Sequence, residues 1–472
     1  MQWRLLAVAA AVLGAAVAQA DTDAQSNALA REIFRELIEI NTTESVGRVT
    51  SASEAMAQRL RAAGFTDADL QILGPNERKR NLVVRLKGSG RHKPVLLIGH
   101  LDVVEARRED WSTDPFRFIE QDGYFYGRGT QDMKSGDAIM MSTLIRLKRE
   151  GFRPSRDIIL ALTADEESGS SNGVQWLLQN HRELVDAEFV LNHDGNSITS
   201  DHGKPVYFEV DGTEKVYGDY LLTVVNPGGH SSLPVPDNAI YRLAAALTRL
   251  SKYEFPFELN SVTRGYYESM ASIETGERAA DMRAILQTPP DPQAIARLSH
   301  DPMDHSIMRT TCVATRLLGG HANNALPQRA QATVNCRILP GHSPEEVRQT
   351  LIGVLADPQV TVQAYDEQGE VRDTASDRRG YPPPPLNPEV MKPLAKLVAQ
   401  MWPGIKVVPA MSAGASDGVY TSAVGLPTYV IAGIAIDRDN QRAHGRDERL
   451  GVDSFYRGNE FFYRYIKTLT AH

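Results

Sequence analysis

Seven side chains in the sequence are of the kinds that hold a divalent metal or carry a proton, and most sit where a short apolar run ends. His100 and Asp102 follow the run PVLLIG, as GHLD. Asp132 lies in GRGTQDMKSG, just ahead of a helical stretch, and Glu166 and Glu167 close IILALTAD. Asp194 closes FVLNHD, and His444 lies in DNQRAHGRD, after PTYVIAGI. Two imidazoles with several carboxylates suit Zn²⁺ or a similar ion. A single catalytic metal needs three protein ligands. The surplus, with one carboxylate placed to bridge, predicts two metals roughly 3.5–4 Å apart. Asp102, two residues beyond His100, is placed to accept the imidazole's other N–H and fix its tautomer. Glu166 and Glu167 are adjacent and cannot point the same way from one strand end. One of them binds metal while the other handles a water proton.

The elements that must position these groups are legible as alternating runs. Residues 81–87, 94–99, 157–163, 188–191 and 427–434 read as buried strands. Residues 28–40, 53–63, 136–147, 174–178 and 452–469 read as helices around them. The alternation predicts an α/β fold with a mostly parallel sheet covered by helices. In such sheets function collects outside the carboxyl ends of the strands, so one crevice can receive all seven side chains. The middle of the chain differs. Residues 219–225, 311–318 and 330–339 are β-like, and 237–250 and 343–355 are helical. This predicts a small α+β layer inserted into the α/β domain. A polar, Pro-rich stretch over 366–386 reads as the return linker.

Composition narrows the function. At 472 residues the length prior is about three domain-sized units, ample for a large core. Lys plus Arg number 51 against 59 Asp plus Glu, a net charge of −8, which argues against nucleic acid as a partner. Two cysteines exclude every thiolate-based zinc module, so a metal must rest on His and carboxylate. Residues 1–20 (MQWRLLAVAAAVLGAAVAQA) have the Arg4 charge, the apolar stretch and the A-Q-A ending of a secretory signal peptide. The apolar run is shorter than the ~18–20 residues of a membrane span. The expected product is exported, periplasmic or secreted, with no stable membrane span once the signal is cleaved.

The ordered series GHLDVV, GRGTQDMKSG, TADEESGS, NHDG and AHGRDE resembles the M20 family of metallopeptidases, the two-zinc exopeptidases and amidohydrolases that include glutamate carboxypeptidase, carboxypeptidase S and the aminoacylases. The resemblance covers nearly the whole mature chain. It implies a mostly parallel di-zinc exopeptidase catalytic domain over 21–213 and 376–472, with an inserted α+β lid or dimerisation domain over 214–375. It implies two Zn²⁺ per chain, with Co²⁺ or Mn²⁺ as substitutes. His100 and Asp194 would serve one zinc, Glu167 and His444 the other, and Asp132 would bridge. Glu166 matches the general base and Asp102 the group behind His100. His230 in GGHSS matches the residue that polarises the scissile carbonyl, in cis or from the neighbouring subunit of a homodimer. Asn324 in NALP, Arg337 in NCRILPG, and Gly414, Ser416 and Asp417 in SAGASDG match positions that contact substrate. Arg337 suits a bidentate hold on a carboxylate. Many relatives carry Asp where this chain has Asn335. The expected substrate is a peptide or an N-acyl, including fatty-acyl, amino acid with a free carboxylate. The expected reaction releases a C-terminal amino acid, with deacylation as the alternative.

Other features compete. Gly169, Ser171 and Gly173 spell G-x-S-x-G, but Ser171 falls too late after the strand for a tight nucleophile elbow, and a serine hydrolase leaves the acidic cluster without a role. A non-catalytic exported binding protein would be expected to lack a ligand, and none is missing. Gly127-Arg128-Gly129 reads as a turn and His193 as structural. Cys312 and Cys336 lie on two runs that pair if they form a hairpin, and export permits a disulfide between them. Tyr253, Phe255, Phe257, Tyr266 and Tyr267 read either as core of the inserted layer or as the lining of an apolar groove.

Overall fold

The computed structural model describes residues 23–168, 171–195, 197–366, 369–377, 383 and 385–471. The expected signal peptide lies outside these residues, as do parts of the expected linker and of the G-x-S-x-G stretch. Contacts divide the chain into two units. One comprises residues 1–210, 386–407 and 424–472; the other comprises 211–385 and 408–423.

The first unit is built on an extended sheet. Ile158–Thr163, Val95–His100, Phe189–Asn192 and Thr428–Val430 run parallel and side by side at its heart. Every residue of Val95–His100 and Ile158–Thr163 is buried. That is the property of parallel strands covered on both faces, and it explains their unbroken apolar runs. Asn81–Leu86 and Leu70–Leu73 extend the sheet antiparallel. Periodicity locates a buried strand but does not give its direction. The helices 23–39, Val49–Ala62, Lys134–Arg149, Pro388–Met401 and Val452–Leu469 pack on one face of the sheet, and Gly173–Asn180 and Arg182–Val185 pack on the other. Phe34 from the first and Phe455 from the last stack at 4.9 Å, with Phe125 edge-on to both.

The second unit holds a five-stranded antiparallel sheet. Its order is Thr311–Gly319, Arg329–Ile338, Val216–Val225, Val360–Tyr365 and Val371–Arg372. Helices Ala239–Leu250 and Pro344–Leu355 cover one face. Leu243, Ala246, Leu351 and Leu355 pack there on Leu222, Val224, Val334 and Ile338. Alternate residues of Arg329–Ile338 are therefore in the core, and Gln331, Thr333, Asn335 and Arg337 look the other way. Cys312 stands directly opposite Cys336, and a disulfide joins them. Four helices between Ser261 and Ile307 enlarge this unit. Tyr266 and Tyr267 are buried there, with the Tyr267 hydroxyl donating to Asp304 at 3.0 Å, so these two rings belong to the core.

Candidate metal centre

The first unit gathers the predicted side chains at the carboxyl ends of its parallel strands. His100 is the last residue of its strand and is buried. Asp194 lies two residues past Phe189–Asn192, and Asp132 two residues before helix Lys134–Arg149. His444 is reached by a loop and adopts φ 62°. The Glu166–Glu167 pair follows Ile158–Thr163 across Asp165, which turns the chain with φ 67°.

Asp132 occupies the centre. Its Oδ1 lies 3.1 Å from His100 Nε2 and its Oδ2 lies 3.0 Å from His444 Nε2. His100 Nε2 is 3.9 Å from Asp194 Oδ1, and His444 Nε2 is 3.0 Å from Glu167 Oε1. Two donor sets follow, His100–Asp132–Asp194 and Asp132–Glu167–His444, each able to converge on one ion. Glu166 joins His100 and Glu167 in a third set, so it borders the same space. These are the hard and borderline donors that suit zinc-like divalent ions.

The electrostatics fit the same occupant. Burial opposes charge on His100, but the contact with Asp132 and the charges of Asp194, Asp132 and Glu166 outweigh it and hold its pKa well above the usual value. His444 is pushed up to about 10, chiefly by its contacts with Asp132 and Glu167. Burial acts to raise Asp132, yet its two histidine partners bring it well below the ordinary carboxylate value. Carboxylates gathered in this way retain a proton on each imidazole, and a bound cation would displace those protons.

Supports behind the cluster are partly unexpected. His100 Nδ1 lies 3.1 Å from the backbone carbonyl of Asp102 and 3.8 Å from its carboxylate. That carboxylate accepts the backbone N–H groups of Glu166 at 3.2 Å and Glu167 at 3.1 Å, so it fixes the loop bearing both glutamates. The other side of this loop is held by Asp165, which accepts from Ser168, Ser171 and Lys79. Glu448 is fully buried and accepts Arg128 Nη1 at 2.5 Å and the N–H groups of Gln131 at 2.6 Å and Asp132 at 3.2 Å. Arg128 also donates to the carbonyl of His444 at 3.3 Å. One ion pair thus anchors the loops of Asp132 and His444 together. Sequence reasoning missed Glu448, Arg128, Asp165 and Lys79. The one local signal was the closing glutamate of AHGRDE. His193 is buried against Phe462 with ring centroids 4.8 Å apart, and burial pulls its pKa down to about 4, as befits a structural residue.

The second unit carries the remaining predicted residues. Strand Gly229–His230 pairs with Ala325–Leu326, and Ser231 N donates to the Asn324 carbonyl at 3.0 Å, so His230 and Asn324 are neighbours. His230 is exposed, with Nδ1 2.7 Å from Ser232 Oγ. Arg337 lays its guanidinium 4.7 Å from the centre of the Tyr217 ring. It lines a groove of about 550 Å³ with Tyr217, Asp219, Arg316, Asn335 and Tyr365. Asn335 Nδ2 donates to Asp219 at 2.8 Å. In the loop, Gly414 N donates to Ser412 Oγ at 3.1 Å and Ser416 N to Glu214 at 2.7 Å, while Asp417 is buried.

The sequence model of peptidase family M20/M25/M40 matches residues 96–468. The chain belongs to this family. As a member it is a hydrolase acting on amide bonds, with the family's mixed α/β fold. It is 28% identical over 389 residues to the human N-fatty-acyl-amino acid synthase/hydrolase PM20D1, covering 79% of this chain and 74% of that one. It is 29% identical over 389 residues to a probable carboxypeptidase S-like protein of Dictyostelium discoideum, covering 79% and 71%. Among solved structures, an M20 family metallo-carboxypeptidase from Sulfolobus solfataricus superposes with a TM-score of 0.64 at 17% identity, covering 93% of this chain and 99% of that one.

Proposed function

We propose that the chain is an exported two-zinc hydrolase that cleaves the amide bond on the acyl side of a residue bearing a free carboxylate. The observation that carries this reading is the position of Asp132 between His100 and His444, one carboxylate oxygen facing each imidazole. In this reading His100, Asp132 and Asp194 hold one ion, and Asp132, Glu167 and His444 hold the other. When bound, the two zinc ions supply Lewis acidity that polarises the carbonyl and brings a water's pKa to about 7. Glu166 accepts the water proton and delivers it to the leaving amine. Asp102 keeps Glu166 and Glu167 in place through their backbone N–H groups. His230 stabilises the charge that develops on the carbonyl oxygen. Asn324, Gly414, Ser416 and Asp417 bind the substrate, and Arg337 takes its carboxylate in a planar fork.

Release of a C-terminal amino acid from a peptide is the leading reaction. Deacylation of N-fatty-acyl amino acids is the second, favoured by the likeness to PM20D1. Both present the same carboxylate to Arg337. No helix among the described residues is long and apolar enough to cross a membrane, which is compatible with an exported product. The division into a catalytic domain and an inserted lid belongs to the same reading, as does a homodimer formed through that layer. The test is a panel of dipeptides and N-acyl amino acids, assayed with metal-loaded and chelator-treated protein. Metal-dependent release of a free amino acid is expected. Full activity in metal-free protein would overturn the assignment.

A further inference from the structure

Three cations crowd one end of the second unit's sheet. Arg337 stands directly across from Tyr217 on one side and from Thr311 on the other. Lys215, two residues before Tyr217, is fully buried, and its Nζ donates to Thr311 Oγ1 at 3.2 Å. Arg309, 3% exposed, completes the group. Its Nη1 meets the exposed Glu254 at 3.1 Å and His305 Nδ1 at 3.0 Å, while its Nε has no hydrogen-bond partner among the described residues. Neither Lys215 nor Arg337 has a carboxylate within ion-pair distance among the described residues. Buried or half-buried cations cost free energy unless an anion joins them, so this crowding requires an explanation.

The hydrogen bond at Thr311 supplies a direction. Lys215 Nζ is the donor and Thr311 Oγ1 the acceptor, so the hydroxyl's own proton is left to point elsewhere. Thr311 shares the face of Arg337 and is its cross-strand neighbour, where side chains lie about 5 Å apart. Thr311 and Arg337 are therefore neighbours on one face of the sheet, with the Lys215 amine behind the hydroxyl and the Arg337 guanidinium resting over Tyr217 on its other side, within a side-chain swing of Thr311. Burial, and then repulsion by Arg337 and Arg309, bring the Lys215 pKa down to about 7, so a nearby anion would draw the proton back.

We propose that Thr311, Arg337 and Lys215 form one carboxylate-binding site, in which the Thr311 hydroxyl and the Arg337 fork hold the substrate's free carboxylate and Lys215 polarises Thr311 from behind. This rests on the reading of Arg337 given above. It adds two specificity-determining residues that neither motif nor spacing indicates.

The probes are N-lauroyl-leucine and its carboxamide, titrated calorimetrically into zinc-loaded Glu166→Gln protein, which keeps the acid intact during the measurement. Thr311→Val and Lys215→Met, each added to that background, are expected to raise Kd for the acid at least tenfold and to leave the weak binding of the amide unchanged. Thr311→Ser keeps the hydroxyl and is expected to bind the acid like the parent, which separates loss of the donor from loss of fold. If Thr311→Val or Lys215→Met leaves acid binding unchanged, weakens acid and amide alike, or if the acid does not bind the parent, the proposal fails. Turnover plays no part in this readout. A chain that binds the acid as described yet hydrolyses nothing would refute the proposed reaction and leave the site standing.

Discussion

Replacing Glu448 by Gln tests whether the metal-binding loops depend on the buried ion pair that joins them across 320 positions. One oxygen of Glu448 accepts Arg128 Nη1 and the N–H of Gly129, and the other accepts the N–H groups of Gln131 and Asp132. Glutamine has a single acceptor oxygen. Whichever way its amide turns, an NH₂ group faces two donors, and Arg128 loses its counter-charge while 2% exposed. Breaking a buried pair from one side costs about 3–5 kcal/mol. In a domain of this size that is a fall in Tm on the order of 10 °C. Because Asp132 N and the His444 carbonyl belong to the same network, metal affinity should drop about 10–100-fold, the usual loss when a group behind a ligand is removed. Calorimetric unfolding with a competitive zinc titration reads both effects. The double change Arg128→Met with Glu448→Gln removes both charges while keeping an acceptor oxygen for the loop N–H groups, and should cost less stability than Glu448→Gln alone. A Glu448→Gln protein that melts and binds zinc like the unaltered chain would refute this reasoning.

Glu166→Gln should lower kcat at least ~10²-fold while metal content persists, whereas Glu167→Gln should weaken one metal site; equal metal loss in both would reverse the assignment. The stability that His444 and His100 contribute to metal-free protein should be lost as pH rises from about 6.5 towards 10. His444 has a folded pKa of about 10 and His100 is also raised, so their contribution is complete below the unfolded histidine value and disappears above the folded one. Thermal melts of chelator-treated parent and His444→Asn protein between pH 6 and pH 10 check this, and a Tm difference that does not shrink across the range would contradict it. Exchanging the substrate carboxylate for a carboxamide should cost at least ~10²-fold in kcat/KM, and Arg337→Lys should be costly too, because a point charge cannot reproduce the fork. Mixed dimers of His230→Ala and Glu166→Gln chains should regain activity if His230 serves the neighbouring subunit; confirmed mixed dimers without activity place it in cis.

The heart of the fold was legible because its strands are buried on both faces. Val95–His100 and Ile158–Thr163 are unbroken apolar runs, and each is followed by polar residues that have chemistry to do. The helix over 452–469 was legible to the residue, since its apolar stripe and its limits coincide. Strand direction was not readable. Asn81–Leu86 is buried at all but one position, much like its parallel neighbours, yet it runs antiparallel to Ile158–Thr163. The four helices between Ser261 and Ile307 were seen only as an aromatic segment, because each is short and two start at proline after an aspartate cap.

The residues that support the centre were hidden for a different reason. His100, Asp132 and Asp194 stand beside strand ends and helix starts, so local sequence reports their neighbourhood. Glu448 and Lys79 look like surface charges until the fold is complete. Glu448 meets Arg128 across 320 positions, and Lys79 meets Asp165 across 86. A buried charge is recognisable only from its partner, because burial is tolerated only where the partner is present. The side chains that perform the chemistry could therefore be found from motif and spacing, while those that hold them in register required the structure. Thr311 belongs with the second group. Nothing in its sequence context marks it, and its significance comes from the strand register that sets it opposite Arg337 and from the buried lysine behind it.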